Sequence, residues 1–274
     1  MPDPSPDASL AQNLFRVAGL GAVVTGAASG LGSAMARVLA RNGARVTLAD
    51  VDEAGLRRAA AGLTAEGCSV RTAVVDVADA AAVDELMAAA AGWDSGLHIA
   101  FANAGISAGP GFVAPEGRLD AIDDDRWQRV LDVNLTGVLH TVRAAARCMT
   151  TGYGRIAVTS SVAGVRADPL VGYAYTATKA GVVALVRNAS IELAPRGILV
   201  NAIAPGAFVT NIGSAGAARS QIVEEFARAS ALKRLADPAE LEGLTLFLAS
   251  PASSYVTGAV LVVDGGATTG RNSV

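Results

Sequence analysis

Residues 21–32 read Gly-Ala-Val-Val-Thr-Gly-Ala-Ala-Ser-Gly-Leu-Gly, and this stretch predicts a strand that turns directly into a helix. The first five residues form a short apolar run typical of a buried strand, and the run from Ser33 to Arg41 is rich in helix-forming residues. Three glycines lie between them: Gly26, Gly30 and Gly32. The pattern therefore predicts a strand and a helix joined by a tight, glycine-rich turn.

Each glycine has a predicted role if this turn binds phosphate groups. Gly26 permits the tight turn, Gly30 lets the backbone approach a phosphate because it has no Cβ, and Gly32 lets the helix pack closely on the strand. The free N–H groups and the positive dipole at the start of the helix favour a pyrophosphate. The turn therefore predicts a dinucleotide site, and a turn that serves packing alone is the alternative.

A carboxylate at the end of the next strand indicates which dinucleotide binds. Asp50 follows the apolar run Arg45–Ala49, about twenty residues after the glycines, where an acid can accept hydrogen bonds from both hydroxyls of the adenosine ribose. A 2′-phosphate beside this carboxylate would be repelled, and neither Ser29 nor Val51 offers a basic partner. The sequence therefore predicts NAD rather than NADP.

Short apolar runs alternate with helix-period segments along the rest of the chain. Seven such runs are predicted as strands: Gly21–Thr25, Arg45–Ala49, Val70–Val75, Leu97–Phe101, Arg155–Thr159, Ile198–Ile203 and Ala259–Val263. Strands separated by helices form right-handed βαβ units. We therefore expect a single-domain, doubly wound, Rossmann-like α/β fold with a mostly seven-stranded parallel sheet and helices on both faces.

The composition fits this class. Of the 274 residues, 51% are hydrophobic and 17% charged, which suits a sheet buried on both faces. The formal net charge is −3 with acids and bases interspersed, so no nucleic-acid partner is expected. The chain has two cysteines and two histidines, none at metal-ligand spacing, so no metal is expected: Cys68, Cys148, His98 and His140.

The N-terminal segment Met-Pro-Asp-Pro-Ser-Pro-Asp is acidic and rich in proline, without the basic and apolar regions of a signal peptide. We expect residues 1–13 to form a disordered tail and residues 14–274 to form the domain. No apolar run approaches the length that spans a membrane. These features predict a soluble cytoplasmic protein with no membrane contact.

Tyr175 and Lys179 lie four residues apart in a predicted helix, so their side chains share one face. A phenol titrates near pH 10 and is a poor base at neutral pH unless a fixed positive charge stabilises the phenolate. Lys179 can supply that charge. The pair predicts an acid/base site, although such pairs also occur by chance on helix surfaces.

At this point the chain resembles the short-chain dehydrogenase/reductase family, in the group with a TGxxxGxG turn and a YxxxK pair. The turn spans Thr25 to Gly32, and further motifs follow in the family's order: Asn103-Ala-Gly105, Asn134, Ser161, Tyr175 with Lys179, and Pro205-Gly206. Ala102 replaces the first asparagine of the family's motif after the fourth strand, and we expect the turn to hold. The serine-to-tyrosine interval is one residue longer than usual.

The resemblance implies a catalytic set of Asn134, Ser161, Tyr175 and Lys179. Tyr175 would exchange the hydroxyl proton of the substrate, Lys179 would lower the tyrosine pKa and bind the nicotinamide ribose, and Ser161 would hold the substrate oxygen. Asn134 would hold a water near the lysine. Ser160 is the rival serine, paired by interval with Tyr173, but Tyr173 lacks the lysine, so Ser161 is preferred.

With the turn and Asp50, the resemblance also implies a set of cofactor contacts: Gly26, Ser29, Gly30, Leu31, Gly32, Asp50, Asp76, Val77, Asn103, Ala104, Gly105, Tyr175, Lys179, Pro205, Gly206 and Thr210. Three of these have structural alternatives. Asp76, predicted at the adenine edge, and Thr210, predicted at the carboxamide, are each candidates for helix caps. Asn103 is a candidate for fixing the turn after the fourth strand.

The resemblance further implies a homotetramer that pairs long helices around 124–149 and 173–194, and a substrate lid over about 207–232, with Phe208 and Ile212 as apolar contacts. The predicted activity is NAD-dependent interconversion of a small-molecule secondary alcohol and a ketone. Two alternatives stay open: an NADPH-type 3-oxoacyl thioester reductase, and a non-catalytic dinucleotide-sensing protein. Arg166 is a candidate anchor for an anionic substrate, with a solvent-exposed arginine as its alternative.

Overall fold

The computed structural model describes residues 10–94, 96–210 and 217–269, which form one α/β domain. Its parallel sheet has seven strands in the order β3-β2-β1-β4-β5-β6-β7. The strands are β1 Gly21–Thr25, β2 Arg45–Asp50, β3 Val70–Val74, β4 Ile99–Ala102, β5 Gly154–Thr159, β6 Ile198–Pro205 and β7 Val260–Val263. The predicted fold class and all seven strands are confirmed, with bounds shifted by one or two residues at half of the strand ends.

Nine α-helices occur in the described residues: α1 Leu10–Leu14, α2 Gly30–Arg41, α3 Glu53–Ala65, α4 Ala80–Ala91, α5 Asp124–Leu131, α6 Gly137–Cys148, α7 Tyr173–Leu193, α8 Ala217–Ala229 and α9 Glu242–Ala249. The long helix predicted over 124–149 is present as α5 and α6, joined by a π-helical turn at Asp132–Thr136. Within the described part of the chain, no helix combines the length and the apolar character required to cross a bilayer.

Helices cover both faces of the sheet, as predicted. Met35, Leu39 and Leu56 of α2 and α3 pack on one face, where Leu248 of α9 joins them. On the other face α4, α6 and α7 contribute the buried side chains Val83, Leu86, Met87, Val138, Val142, Val182 and Val186. Because both faces are covered, the central strands β1, β4 and β5 are buried along their whole length.

The parallel register brings the carboxyl ends of neighbouring strands to one edge of the sheet. Thr25 of β1 pairs with Ala49 of β2, and Val24 pairs with Phe101 of β4. The strand order reverses direction between β1 and β4, since β2 and β3 extend to one side and β5 to β7 to the other. In such sheets ligands bind in the crevice at this switch point.

The predicted disordered tail is too long by at least four residues. Leu10–Leu14 forms a short helix, in which the amide of Phe15 donates to the carbonyl oxygen of Ala11. This helix lies next to the 3₁₀ turn Pro251–Ser253, a contact that tail composition does not reveal. Residues 1–9 of the predicted tail lie outside the described residues.

Candidate functional site

The glycine-rich turn after β1 has the conformation that its sequence predicts. Gly26 and Gly30 have φ angles of +68° and +55°, which L-residues rarely adopt. A Cβ on Gly32 would lie 2.0 Å from the carbonyl oxygen of Gly26, so α2 approaches the end of β1 too closely for any side chain. The turn therefore tolerates no side chain at Gly26 or Gly32, and the start of α2 lies directly against the end of β1.

Three further residues of this region are placed around the turn. Ser29 stands at the N-cap of α2 with extended backbone and an exposed hydroxyl that makes no cap hydrogen bond. Leu31 packs its side chain on the core between α2 and the sheet. The methyl group of Thr210 lies 3.4 Å from the position that a Cβ of Gly30 would occupy. Thr210 therefore borders the glycine-rich turn from the segment after β6.

Asn103 connects three strands at the edge of the crevice. Its Nδ2 donates to the carbonyl oxygens of Thr25 at 3.1 Å and Gly26 at 3.3 Å, and its Oδ1 accepts from Thr159 Oγ1 at 2.9 Å. Thr25 Oγ1 in turn accepts from the amides of Asn103 and Ala104. The side chain of Asn103 therefore fixes the turn, as its structural alternative predicted, and Ala102 remains buried in β4.

Asp50 ends β2 beside the glycine turn, where the sequence predicted it. Its Oδ2 accepts from the amide of Ala28 at 3.0 Å and its Oδ1 accepts from the amide of Asp52 at 3.0 Å. The carboxylate is thus held in a fixed orientation by backbone donors from both sides. Each oxygen keeps a further lone pair, which allows the carboxylate to accept from a diol as well.

Asp76 forms a local turn and an ion pair. Its Oδ1 accepts from the amide of Ala78 at 3.0 Å, and its Oδ2 lies 3.2 Å from Nη2 of Arg129 on α5. The backbone hydrogen bond from Ala78, together with Arg129, holds the pKa of this carboxyl below its usual range. The alternative that Asp76 caps α4 is wrong, because Asp79 is the N-cap and accepts from the amides of Ala81 and Ala82.

The neighbouring Val77 is largely occupied by packing. Its side chain fills the space where a Cβ on Gly137 of α6 would lie, at 2.6 Å. Its carbonyl oxygen lies 3.0 Å from Nδ1 of His140. Any cofactor contact of Val77 would therefore be made by its backbone amide.

The side chain of Ser161 lies beside the Tyr175 hydroxyl, where it lowers the pKa of the phenol. Ser161 follows β5 and its Oγ also accepts from the amide of Ala163, at 3.1 Å. The adjacent Ser160 points elsewhere, since its buried Oγ donates to the carbonyl oxygen of Lys179 at 2.8 Å. Of the two candidate serines, the structure therefore brings only Ser161 to the tyrosine.

Lys179 is buried beneath this pair. Its side chain is 2% exposed, its Nζ donates to the carbonyl oxygen of Thr159 at 2.7 Å, and it lies 5.4 Å from the centre of the Tyr175 ring. Removal from water lowers the pKa of Lys179 to about 8. The ammonium group is thus positioned by strand β5 and α7 together.

Burial raises the pKa of Tyr175, and the side chain of Ser161 offsets the rise only in part. Desolvation penalises the phenolate more than Ser161 stabilises it. The expected lowering of this pKa by Lys179 stays a prediction.

Asn134 lies in the π-helical turn between α5 and α6 and is fully buried. Its Oδ1 accepts from the amide of Ile106 at 2.8 Å, and its Nδ2 donates to the carbonyl oxygen of Ile106 at 2.9 Å. A Cβ on Gly105 would lie 3.3 Å from Asn134 Oδ1 and 3.5 Å from Lys179 Nζ. Gly105 therefore lies between the asparagine and the lysine, and Asn134 fixes the backbone that follows.

The segment after β6 borders the site from the other side. The amide of Gly206 donates to the carbonyl oxygen of Val263, and a Cβ on Gly206 would lie 2.7 Å from that of Asp264. Phe208 is 8% exposed and packs with the core on the α2 face, and its contact with a substrate stays a prediction. Ile212 and residues 211–216 of the predicted lid lie outside the described residues.

Arg166 does not line the crevice as a free cation. Its exposed side chain donates from Nη1 to the carbonyl oxygen of Ala267 at 2.7 Å. The guanidinium already donates to the C-terminal segment. Arg166 therefore has a structural role as an alternative to the expected role of anchoring an anionic substrate.

Four residues that the sequence did not single out support the site. Thr25 and Thr159 anchor Asn103, Ile106 pairs with Asn134, and a Cβ on Gly164 would lie 2.5 Å from the carbonyl carbon of Lys179. The two threonines carry a detectable signal, since both are polar residues at the carboxyl ends of predicted buried strands. The other two act through backbone proximity, which sequence does not display.

The comparisons with known proteins agree with this geometry. A family model described as enoyl-(acyl carrier protein) reductase matches residues 26–268. The cis-4-hydroxycyclohexanecarboxylate dehydrogenase of Sinomonas cyclohexanicum is 40% identical over 252 residues, which cover 90% of this chain and 96% of that protein. The L-tagatose-forming galactitol 2-dehydrogenase of Cereibacter sphaeroides is 38% identical over 263 residues, covering 94% and 98%.

A solved structure is also similar. The short-chain type dehydrogenase/reductase of Mycobacterium marinum superposes with a TM-score of 0.87 at 32% identity, covering 96% of this chain and 100% of that one. All three proteins are more than 30% identical to this chain over nearly their full length, and the solved structure has the same fold. This similarity is enough to assign the family. The chain belongs to the short-chain dehydrogenase/reductase family of oxidoreductases.

Proposed function

We propose that this protein is an NAD-dependent dehydrogenase that interconverts a small-molecule secondary alcohol and the corresponding ketone, with Tyr175 as the acid/base. The observation that carries the proposal is that Ser161 lies beside the Tyr175 hydroxyl, on the helix whose buried Lys179 donates to the carbonyl oxygen of Thr159 at the end of β5. The pair lies at the carboxyl edge of the sheet, beside the switch point where the glycine turn and Asp50 lie.

The chemistry requires two transfers from the alcohol. The nicotinamide ring, when bound, supplies the acceptor for a hydride from the carbinol carbon. Tyr175 removes the hydroxyl proton as the carbonyl forms, and Ser161 donates a hydrogen bond to the same oxygen. In the reverse direction the tyrosine returns the proton, so one geometry serves both directions.

Lys179 and Asn134 have supporting roles in this proposal. The pKa of Lys179, about 8, leaves the group mostly protonated at neutral pH, so it can stabilise a phenolate as the proton leaves Tyr175. One N–H of the ammonium donates to the carbonyl oxygen of Thr159, and two N–H groups remain to donate to a ribose hydroxyl or a water. Asn134 keeps the backbone beside the lysine in place, and we assign it the water-holding role on the resemblance alone.

The residues present fit a dinucleotide. The φ angles of Gly26 and Gly30 and the clash that a Cβ on Gly32 would make with Gly26 require a turn without side chains at these positions. Such a turn at the start of a helix suits a pyrophosphate. Asp50 would hold the adenosine ribose and repel a 2′-phosphate. Asp76, Asn103, Ala104, Gly105, Pro205, Gly206 and Thr210 surround the same edge and complete the proposed cofactor contacts.

Two rival functions make different predictions. A 3-oxoacyl thioester reductase of the NADPH type would prefer the phosphorylated cofactor, which Asp50 disfavours. A dinucleotide sensor would bind cofactor without turnover, and the joint presence of Ser161, Tyr175 and Lys179 disfavours it.

We also propose a homotetramer. Leu139 of α6 is 44% exposed, Ile191 of α7 is 77% exposed, and Tyr255 before β7 is fully exposed, so apolar surface lies on the elements through which the family pairs. Light scattering after size-exclusion chromatography measures the mass, and a monomeric mass would contradict this proposal.

The experiment that tests the function follows absorbance of the reduced nicotinamide with NAD and, separately, NADP. The alcohols offered are cyclohexanol, cis-4-hydroxycyclohexanecarboxylate and galactitol, which sample neutral, anionic and polyol substrates. NAD-linked oxidation of one class supports the proposal. Binding of cofactor without turnover of any secondary alcohol or ketone favours the sensor, and preference for NADP overturns the role given to Asp50.

A further inference from the structure

The segment that follows β7, Asp264–Thr269, crosses the edge of the site and is called here the C-terminal strap. It is internally braced, because Asp264 accepts from the amide of Gly266 at 2.9 Å and from both the amide and Oγ1 of Thr268 at 2.7 Å. Burial opposes ionisation of Asp264, but these hydrogen bonds and the charge of Arg166 hold the pKa of that carboxyl below its usual range.

The strap is attached to the end of the proposed lid. The amide of Leu232 donates to the carbonyl oxygen of Gly265 at 3.1 Å. A Cβ on Gly266 would lie 2.9 Å from the Cβ of Ala231, so the two chains are in direct contact. Since α8 ends at Ala229, the strap fixes the residues from which that helix departs.

The strap is also attached to the turn that carries Ser161, through Arg166. The side chain of Arg166 donates to the carbonyl oxygen of Ala267 at 2.7 Å, and its amide donates to the carbonyl oxygen of Val162 at 3.0 Å. Val162 belongs to the 3₁₀ turn that follows Ser161 and packs against the backbone of Lys179.

We propose that Arg166 is a positioning residue, which ties the turn carrying Ser161 to the C-terminal strap and thereby to the end of the lid helix. It spans the two walls of the substrate crevice and keeps them at a fixed separation. The inference rests on the proposed function only for its effect on substrate affinity. The mechanical link between Arg166 and Leu232 stands on the hydrogen bonds alone.

The test compares Arg166→Met, which keeps the alkyl stem without the donors, with Arg166→Lys, which keeps one cationic donor. Arg57→Met is the matched control, because Arg57 pairs with Glu53 on the surface of α3, away from the site. Two quantities are measured for each full-length variant: hydrogen exchange of peptides covering residues 230–235, and KM and kcat for cis-4-hydroxycyclohexanecarboxylate and for neutral 4-methylcyclohexanol.

The expected result for Arg166→Met is exchange about fivefold faster over residues 230–235 and a KM about fivefold higher for both alcohols, the effect of losing one exposed charge-assisted hydrogen bond. The kcat stays within about twofold, since the reacting groups are retained. Arg166→Lys recovers most of both effects, and Arg57→Met changes neither. A merely structural role would lower thermal stability without this split between KM and kcat.

Two results overturn the proposal. If Arg166→Met raises KM for the carboxylate alone and leaves exchange unchanged, Arg166 is a substrate anchor. If exchange over residues 230–235 is unchanged and KM is unchanged for both alcohols, the strap does not couple the two walls. Should the unaltered protein oxidise neither alcohol, the proposed function is in question, and the exchange measurement still decides the link.

Discussion

Lys179 Nζ donates to the carbonyl oxygen of Thr159 at 2.7 Å, so the ammonium of α7 is fixed to the end of β5. The serine of the site follows that strand after one intervening residue. This hydrogen bond therefore fixes the position of the Lys179 ammonium relative to both Ser161 and Tyr175. The geometry of these three side chains thus depends on how α7 packs on the sheet.

Replacing Tyr175 with Phe removes the proposed acid/base and keeps the ring. We expect turnover to fall by about 1000-fold, with the affinity for NADH nearly unchanged, because the phenol hydroxyl acts in proton transfer. The measurements are initial rates and a fluorescence titration with NADH. Tyr173→Phe is the matched control. Tyr173 precedes Tyr175 by two residues and its ring packs near Phe112, so this variant should stay active. An active Tyr175→Phe enzyme would remove the role given to this residue.

Replacing Asp50 with Asn removes the charge beside the ribose and keeps the shape. The ratio of kcat/KM for NAD to that for NADP should fall about tenfold, which corresponds to ~1.4 kcal/mol less discrimination between the two cofactors. Asp52→Asn is the control, because Asp52 caps α3 through the amide of Gly55 and lies two residues along the chain. An unchanged ratio for Asp50→Asn would show that selectivity arises elsewhere.

Replacing Lys179 with Met should stabilise the protein at neutral pH while it removes activity. In the folded state the pKa is about 8, against the ordinary 10.5, so the buried ammonium costs roughly 3 kcal/mol below pH 8. The variant also loses the hydrogen bond to Thr159, which offsets part of this stabilisation. The net increase in the free energy of unfolding is therefore about 1–2 kcal/mol.

The sign of the pH dependence follows from the same shift. Between about pH 8 and pH 10.5 the unfolded chain binds more protons at this site than the folded protein, so the stability of the unaltered protein rises with pH there. The advantage of Lys179→Met should therefore shrink over that window in urea unfolding. Lys233→Met, at an exposed lysine, should show no such trend, and a trend of the opposite sign for Lys179→Met would contradict the burial argument.

Two glycine-to-alanine changes test the close approach of α2 to β1. A Cβ on Gly32 would lie 2.0 Å from the carbonyl oxygen of Gly26, whereas nothing lies within 4 Å of a Cβ on Gly62 in α3. Gly32→Ala should cost about 3 kcal/mol or more and abolish cofactor binding, because backbone must move. Gly62→Ala should stabilise by about 0.5–1 kcal/mol, since alanine favours helix. Equal effects in thermal unfolding would contradict the geometry of the turn.

The fold was predictable because its signals are local. Apolar runs such as Val70–Val75 and the glycines at 26, 30 and 32 report strand burial and turn conformation within a few residues of themselves. The tail boundary failed for the opposite reason, since Leu10–Leu14 is ordered beside residues about 240 positions later, and local composition carries no signal of that contact.

The sequence by itself determined the βαβ order, the glycine turn, the carboxylate at the end of β2 and the spacing of Tyr175 and Lys179, because each depends on residues near one another in the chain. Only the tertiary structure decided which serine meets the tyrosine, that Asp79 rather than Asp76 caps α4, that burial raises the tyrosine pKa, and that Arg166 binds the strap. These depend on hydrogen-bond partners and desolvation, which arise only when distant segments pack together.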